Sequence, residues 1–514
     1  MSHKGAVAAG HAVTAAAAAE LLEDGGNAFD AVLAALLAAC VAEPVLASPG
    51  GGGFLTARAD GKTRVFDFFV QTPRRKRAPA DIDFREVSVD FGGVTQNFHI
   101  GLGAAATPGF LPGVFAVHAQ LGRLPMMRIA EPAIRAATNG VEVSAFQAYL
   151  FGVVAPILTA TPALRDLFTD QAGRLLQQGT VHKNPQLADA FDALAREGLA
   201  LATKGEISQA MAGQAQAGGG HLTAADIRAY APAHRAPLVA RAGDLMIETV
   251  PPPSTGGVMV ALGLDRLEAA HGRARVPAPA LAQTLLWMNG ERAACNGNPE
   301  ALLARRQAMR ASGAGPHNLA PRPQALRGTT HVSVVDAEGS AAAATISNGE
   351  GCGALVPGCG FMLNNMLGED DINPNGFHQW AENTRMCSMM APMLAHDGAG
   401  GVTAFGSGGS NRIRSALLQT AVLLARGHHA EDAVMHPRIH VEGTSTDTDP
   451  PAKLSYEQGW PEAECTAMAN AFALVDPWDE PNMFFGGVHI VSNDGHGTLE
   501  GAGDPRRAGV FRKV

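Results

Sequence analysis

Gly328-Thr329-Thr330-His331-Val332-Ser333-Val334-Val335-Asp336 decides how this chain is read. It follows a long segment rich in Ala, Pro, Gly and Arg, and it opens a strand-like alternation. A threonine preceded by glycine at the mouth of a strand becomes a new N-terminus if the Gly328–Thr329 peptide breaks. Such a residue carries both nucleophile and base: the hydroxyl attacks and the free α-amine takes the proton. An α-amino pKa near ~8 suits that task at neutral pH, where a lysine at ~10.4 is mostly protonated.

Outward from this point, Thr330–Asp336 and Ala341–Ser347 read as two strands around the hairpin turn Ala337-Glu338-Gly339-Ser340. Val402–Phe405 leads into a glycine loop and a helix from Ile413 to Arg426. Near the start, Thr14–Asp24 reads as a helix stopped by Gly25-Gly26. Asn27 can cap the next helix, with Asp30 favouring its N-terminus. That helix runs through Ala31–Cys40 and ends before Pro44, and Phe54–Arg58 and Arg64–Val70 read as strands. Residues 110–290 read as mostly helical, broken at Pro156, Pro162 and Pro185. Residues 296–328 read as a mobile linker, with few large apolar residues, an Arg305-Arg306 pair and several Gly and Pro.

The 514 residues are 46% hydrophobic and 17% charged, a globular composition. The 60 glycines supply many tight turns, and a net charge of -9 argues against nucleic acid as a partner. Arg74-Arg75-Lys76-Arg77 is the one basic run and reads as a solvated loop. Met1–Lys4 leads into Gly5-Ala6-Val7 without an apolar stretch and cleavage site, so the chain is read as cytoplasmic. The apolar stretch Ala31–Ala42 is too short to span a bilayer, and no membrane association is expected. The six cysteines form no CxxC pair and no metal-like cluster, so neither a metal nor a disulfide framework is expected.

The order of motifs resembles the gamma-glutamyltransferase family of N-terminal-nucleophile hydrolases. The resemblance rests on Gly25–Ala31, Glu43-Pro44, Gly50–Phe54, Pro251–Gly257, Thr329–Asp336, Leu363-Asn364-Asn365, Ser388–Pro392, Gly406–Ser410 and Asp504-Pro505-Arg506. It implies an α+β fold, a four-layer αββα sandwich of two antiparallel sheets flanked by helices. It also implies a large-subunit region, 1–328, and a small-subunit region, 329–514, that form one unit and remain together as a heterodimer after self-cleavage. No metal or organic cofactor is implied.

Carried over residue by residue, the resemblance makes Thr329 the nucleophile and Ser347 the hydroxyl that bonds it. Gly408 and Gly409 become the oxyanion hole, where glycines let backbone N–H groups meet a developing alkoxide. The substrate pocket departs from the family. Phe69 stands where relatives carry the arginine that grips a γ-glutamyl α-carboxylate. Gly349 takes the place of the strand asparagine, with Asn348 adjacent. Met366 follows Asn364-Asn365, and Cys387 replaces the first serine of a pair whose second is Ser388. The aspartate for the substrate amino group falls on Glu369, or on Asp370 or Asp371 with a small shift. Losing an arginine partner from a carboxylate costs several kcal/mol, because bidentate charged bonds are strong. Arg74, Arg75 or Arg77 could replace it from the neighbouring loop.

Three functions follow. The first is a self-processing threonine amidohydrolase or acyltransferase acting on γ-glutamyl, glutathione-like amides, with water or an amine as acceptor. Its short Ile372–Cys387 segment, in place of a longer lid, favours hydrolysis. The second keeps the mechanism but takes a non-glutamyl amide. The third is a non-catalytic family member.

Overall fold

The computed structural model describes residues 3–90, 95–312, 328–373, 375–446 and 450–514. In chain order its two large sheets use β1 (Gly5–Ala9), β2 (Gly52–Ala59), β3 (Lys62–Phe68), β4 (Ala233–Arg235), β5 (Leu238–Ala242), β6 (Leu245–Thr249), β7 (Thr330–Asp336), β8 (Ala341–Ser347), β9 (Met393–His396), β10 (Val402–Gly408), β11 (Gly487–Asn493), β12 (Leu499–Ala502) and β13 (Val510–Lys513). The first sheet runs β13-β1-β7-β8-β2-β3-β4 and the second β12-β11-β10-β9-β6-β5, with every pairing antiparallel.

Period-two alternation assigns each side chain to a layer. In β1, Ala6 and Ala8 pack with Leu394, Val402, Ala404 and Val491 of the second sheet, whereas Val7 and Ala9 face a helical layer. In β8, Ala341 and Ala343 take the first side, and Ala342, Ala344 and Ile346 the second. The alanines hold the two sheets at close range with little side-chain bulk between them.

The helical layer on the first sheet is α1 (Ala12–Glu23) and α2 (Ala28–Ala42). All fifteen residues of α2 are buried, which explains its unbroken apolar run. Asn27 and Asp30 form a reciprocal capping box at its start. Against the second sheet lie α3 (Thr255–His271), α4 (Ala278–Ala294) and α5 (Arg412–Leu424), sharing a core with Ile247, Met393, Phe405 and Ile490. Among the described residues no helix is long and apolar enough to cross a membrane.

The helical stretch is interrupted at Pro156, Pro162 and Pro185, each standing in the first turn of a new helix, as suits a residue with no N–H to donate. Two expectations needed revision. The span 110–290 also contains β4, β5 and β6, whose alternation is short and partly exposed. The expected linker at 296–328 begins with a helix, Pro299–Ser312, tied down by Arg305 to Glu291 and by Arg306 to Asp265 at 2.7 Å. Residues 313–327 of that expectation lie outside the described residues.

Burial holds His11, His182 and His489 down to pKa values of about 4. A histidine whose folded pKa lies below its unfolded ~6.5 binds its proton more readily when unfolded. Stability is therefore full above pH ~6.5 and is lost as pH falls toward 4, at most roughly 3 kcal/mol per group. Melting temperature should fall by on the order of 5 °C between pH 7 and pH 5. A flat melting temperature across that window would mean these rings are protonated inside the fold.

Candidate active site

The layering of β7 and β8 fixes which hydroxyls meet. His331, Ser333 and Val335 share the inter-sheet face of β7, and Ala341, Ala343, Thr345 and Ser347 share that of β8. Residue 329 continues this face just before β7 begins. Thr330 points the other way and donates to Glu43 Oε2 at 2.6 Å, while Glu43 Oε1 accepts from Thr14 at 2.7 Å. Burial pushes the Glu43 carboxyl up, and these two hydroxyls and the Arg507 cation draw it back. His331 is held between Thr345 Oγ1 at 2.8 Å and Ser333 Oγ at 2.9 Å. Burial holds its ring far below the usual histidine range, so it serves as a neutral strut rather than a base.

The carbonyl of Gly328 is where the site converges. It accepts from Thr329 Oγ1 at 2.8 Å and from Ser347 Oγ at 2.7 Å. Ser347 Oγ in turn accepts the N–H of Gly349 at 3.1 Å. Both hydroxyl residues are buried and line one pocket.

Gly408 stands against the Thr329 backbone, and Gly409 packs beside Gly486. A Cβ on Gly408 would lie 2.2 Å from the Thr329 carbonyl oxygen, so only glycine allows this approach. The Arg507 guanidinium lies behind the pair, and burial holds its pKa down to about 10. Sequence reasoning missed Arg507 because the Asp504-Pro505-Arg506 match stops one residue short. That motif itself is structural: Asp504 pairs with Arg438, and Arg506 with Glu457.

The pocket wall brings together Phe69, Met366, Glu369 and Ser388. Phe69 stacks on Phe54 at a centroid distance of 5.7 Å. Its carbonyl accepts from Tyr230 Oη at 2.7 Å and from Arg385 Nη1 at 2.7 Å. Met366 is fixed by Asn364, whose amide also bonds the carbonyls of Gly50 and Ala106. Ser388 is anchored by Ser254, which caps α3 and donates to the Met390 carbonyl. The glycine and asparagine motifs thus act largely as scaffolding for the residues beside them.

Three expected residues lie elsewhere. Asn348 is fully buried and outside the pocket lining, its amide making no hydrogen bond, because a neighbour along a strand faces the opposite side. Asp370 is exposed, and its charge acts on His99 instead. Cys387 lines an adjoining pocket with Trp380 and Arg385, and burial raises its thiol to about 11.

Asp371 is the acid that lines the Thr329 pocket beside Glu369. Its Oδ2 accepts from Asn411 Nδ2 at 2.8 Å and from Ser410 Oγ at 3.2 Å. Gly349, in place of a strand asparagine, leaves the space that Asn365 and Glu369 fill: a Cβ there would lie 2.3 Å from Glu369 Oε1. Ile372, Met389, Met390 and Ile413 complete an apolar lining. Among the described residues no lysine or arginine lines this pocket. Arg77 is engaged by the carbonyls of Gln216 and Gly220, and Arg74 and Arg75 are likewise outside it. Arg385 is held by Asp67, Tyr230 and the carbonyls of Phe69 and Ala231.

The gamma-glutamyltranspeptidase family model matches residues 14–514. The acylase ACY 1 proenzyme of Pseudomonas sp. strain V22 is 30% identical over 534 residues, covering 97% of this chain and 91% of the relative. The glutathione hydrolase proenzyme of Pseudomonas aeruginosa is 30% identical over 546 residues, covering 98% and 94%. A cephalosporin acylase structure from Bacillus halodurans aligns with a TM-score of 0.82 at 21% identity, covering 99% of this chain and 96% of that one. At that identity the likeness is one of fold. The chain belongs to the gamma-glutamyltranspeptidase family and is a gamma-glutamyltransferase-like hydrolase of amides.

Proposed function

We propose that the protein is a self-processing threonine-nucleophile amidohydrolase whose acyl donor carries an amino group but no adjacent carboxylate. The observation that carries this is the pocket at Thr329, with two carboxylates, an apolar lining and no lining cation. A carboxylate entering it would meet Glu369 and Asp371 with no cation lining the pocket to pair with, whereas an ammonium would be held. The acylase relative agrees with a non-glutamyl donor, and the glutathione hydrolase relative keeps γ-glutamyl amides as the competing substrate. Assaying amino-acyl, simple acyl and γ-glutamyl anilides side by side tests the reading, and γ-glutamyl as the best donor overturns it.

In this reading the two antiparallel sheets and their outer helices form a four-layer αββα unit spanning 1–328 and 329–514. Thr329 Oγ attacks the amide carbon, and the freed α-amine takes the hydroxyl proton and returns it to the leaving amine. The N–H groups of Gly408 and Gly409 hold the oxyanion, and Ser347 orients the nucleophile. Water then releases the acyl group.

The short Ile372–Cys387 segment leaves the acyl-enzyme open to water. Hydrolysis should therefore dominate transfer when an amine acceptor is added at millimolar concentration. Chromatographic product ratios check this, and a majority of transfer product at modest acceptor concentration refutes it.

A further inference from the structure

Gly328 is gripped on both of its peptide groups in the uncut chain. Its carbonyl accepts the Thr329 and Ser347 hydroxyls, and its N–H donates to Glu350 Oε1 at 3.2 Å. Its α-carbon sits in a backbone slot: a Cβ would lie 2.8 Å from the Gly349 carbonyl oxygen and 3.1 Å from that of Val45. Glu350 is buried and itself held by Asn365. The Glu350 N–H donates to Asn365 Oδ1 at 3.0 Å, and Asn365 Nδ2 donates to Glu350 Oε2 at 3.5 Å. Glu350 is not among the residues lining the pocket at Thr329.

We propose that Glu350 is a positioning residue for self-cleavage, acting through the Gly328 N–H, and that it has no part in substrate turnover. This rests on Thr329 being the nucleophile. Glycine otherwise rotates freely about its two backbone bonds. Fixing its N–H as well as its carbonyl holds the scissile carbon at one orientation beside Thr329 Oγ, which reduces the entropy cost of attack. The oxygen then bonds to the Gly328 carbon as the C–N bond breaks, and the hydroxyl proton passes to the Thr329 nitrogen. Water hydrolyses the resulting ester, leaving a carboxylate on Gly328 and a free hydroxyl and amine on Thr329. From then on the Gly328 N–H is no longer joined to the nucleophile, and Glu350 has nothing left to position.

The test is a chase of full-length chains made by cell-free synthesis, read on denaturing gels and by mass, for wild type, Glu350→Ala and Glu350→Gln. Alanine should slow cleavage by roughly tenfold to a hundredfold, the effect of leaving the buried Gly328 N–H without its acceptor. Glutamine keeps an acceptor oxygen and should restore cleavage to within about threefold of wild type. Turnover per cleaved chain should be the same in all three. The proposal is overturned if Glu350→Ala cuts at the wild-type rate. It is also overturned if alanine and glutamine are equally slow, or if matured Glu350→Ala loses turnover in step with cleavage. An uncut wild type would instead refute the Thr329 assignment and remove this inference with it.

Discussion

Thr329→Ala is expected to accumulate as one uncut chain of 53.1 kDa with no measurable amidase activity. The wild type should appear as two fragments of roughly 34 and 19 kDa, scaling the chain by residue count, the smaller beginning at Thr329. The argument is geometric. The Thr329 hydroxyl lies 2.8 Å from the carbonyl oxygen of the residue before it, and Ser347 polarises the same carbonyl from 2.7 Å. On the proposed mechanism alanine removes the nucleophile for self-cleavage and for turnover together, so the loss should reach about six orders of magnitude, as for nucleophiles in other covalent hydrolases. Thr329→Ser keeps the hydroxyl and should cleave and turn over at reduced rates. Intact mass and a burst assay check both variants. Cleavage at Gly328–Thr329 in the alanine variant would move the nucleophile elsewhere, and Ser347 is the nearest alternative.

Much of this site was legible because its chemistry sits at strand ends, where the period-two rule is strict. Thr329 and Ser347 lie eighteen positions apart in sequence, and the Ala337–Ser340 turn brings them back onto one face. The buried helix α2 was equally legible, since Asn27 and Asp30 mark its start and Pro44 its end. The strands β1, β4, β5, β6, β9, β11, β12 and β13 were not read from the sequence. Gly5-Ala6-Val7-Ala8-Ala9 has weak intrinsic β preference, and it is a strand because β7 and β13 pair with it on either side. The acid assignment was limited for a different reason. Glu369, Asp370 and Asp371 are adjacent in sequence, and two tight turns, Met366–Gly368 and Asp370–Ile372, decide which acids turn inward. The result, Glu369 and Asp371 inward and Asp370 outward, depends on Asn373 bonding the carbonyls of Met366 and Glu369. Arg507 was out of reach as well, because its role comes from packing behind Gly408 and Gly409 rather than from any local pattern.

Asp371→Asn should separate donors by their charge. Asp371 is buried at the pocket wall, with Oδ2 fixed by Asn411 and Ser410 and its backbone carbonyl held by Arg292 at 3.0 Å. Asparagine has the same size and can keep the contacts to Ser410 and Asn411, so the pocket shape should survive. What is lost is one negative charge facing the acyl group. For an amino-bearing acyl anilide, kcat/KM should fall by roughly tenfold to a hundredfold, the range for a charged hydrogen bond. For the same donor without its amino group the change should stay within about twofold, since no charge is there to be held. A γ-glutamyl anilide carries both charges and is the most informative of the three. Its carboxylate is repelled by about 3 kcal/mol for each carboxylate near 5 Å at an effective dielectric of 20. Removing one of the two should relieve that repulsion while weakening the hold on the amino group, so the γ-glutamyl donor should change much less than the amino-bearing donor. Unequal movements of the three donors in one variant cannot come from a general loss of folding or of catalytic power. A uniform drop across all three donors would instead make Asp371 a brace for Ser410 and Asn411, and would leave the amino-group preference to Glu369 alone.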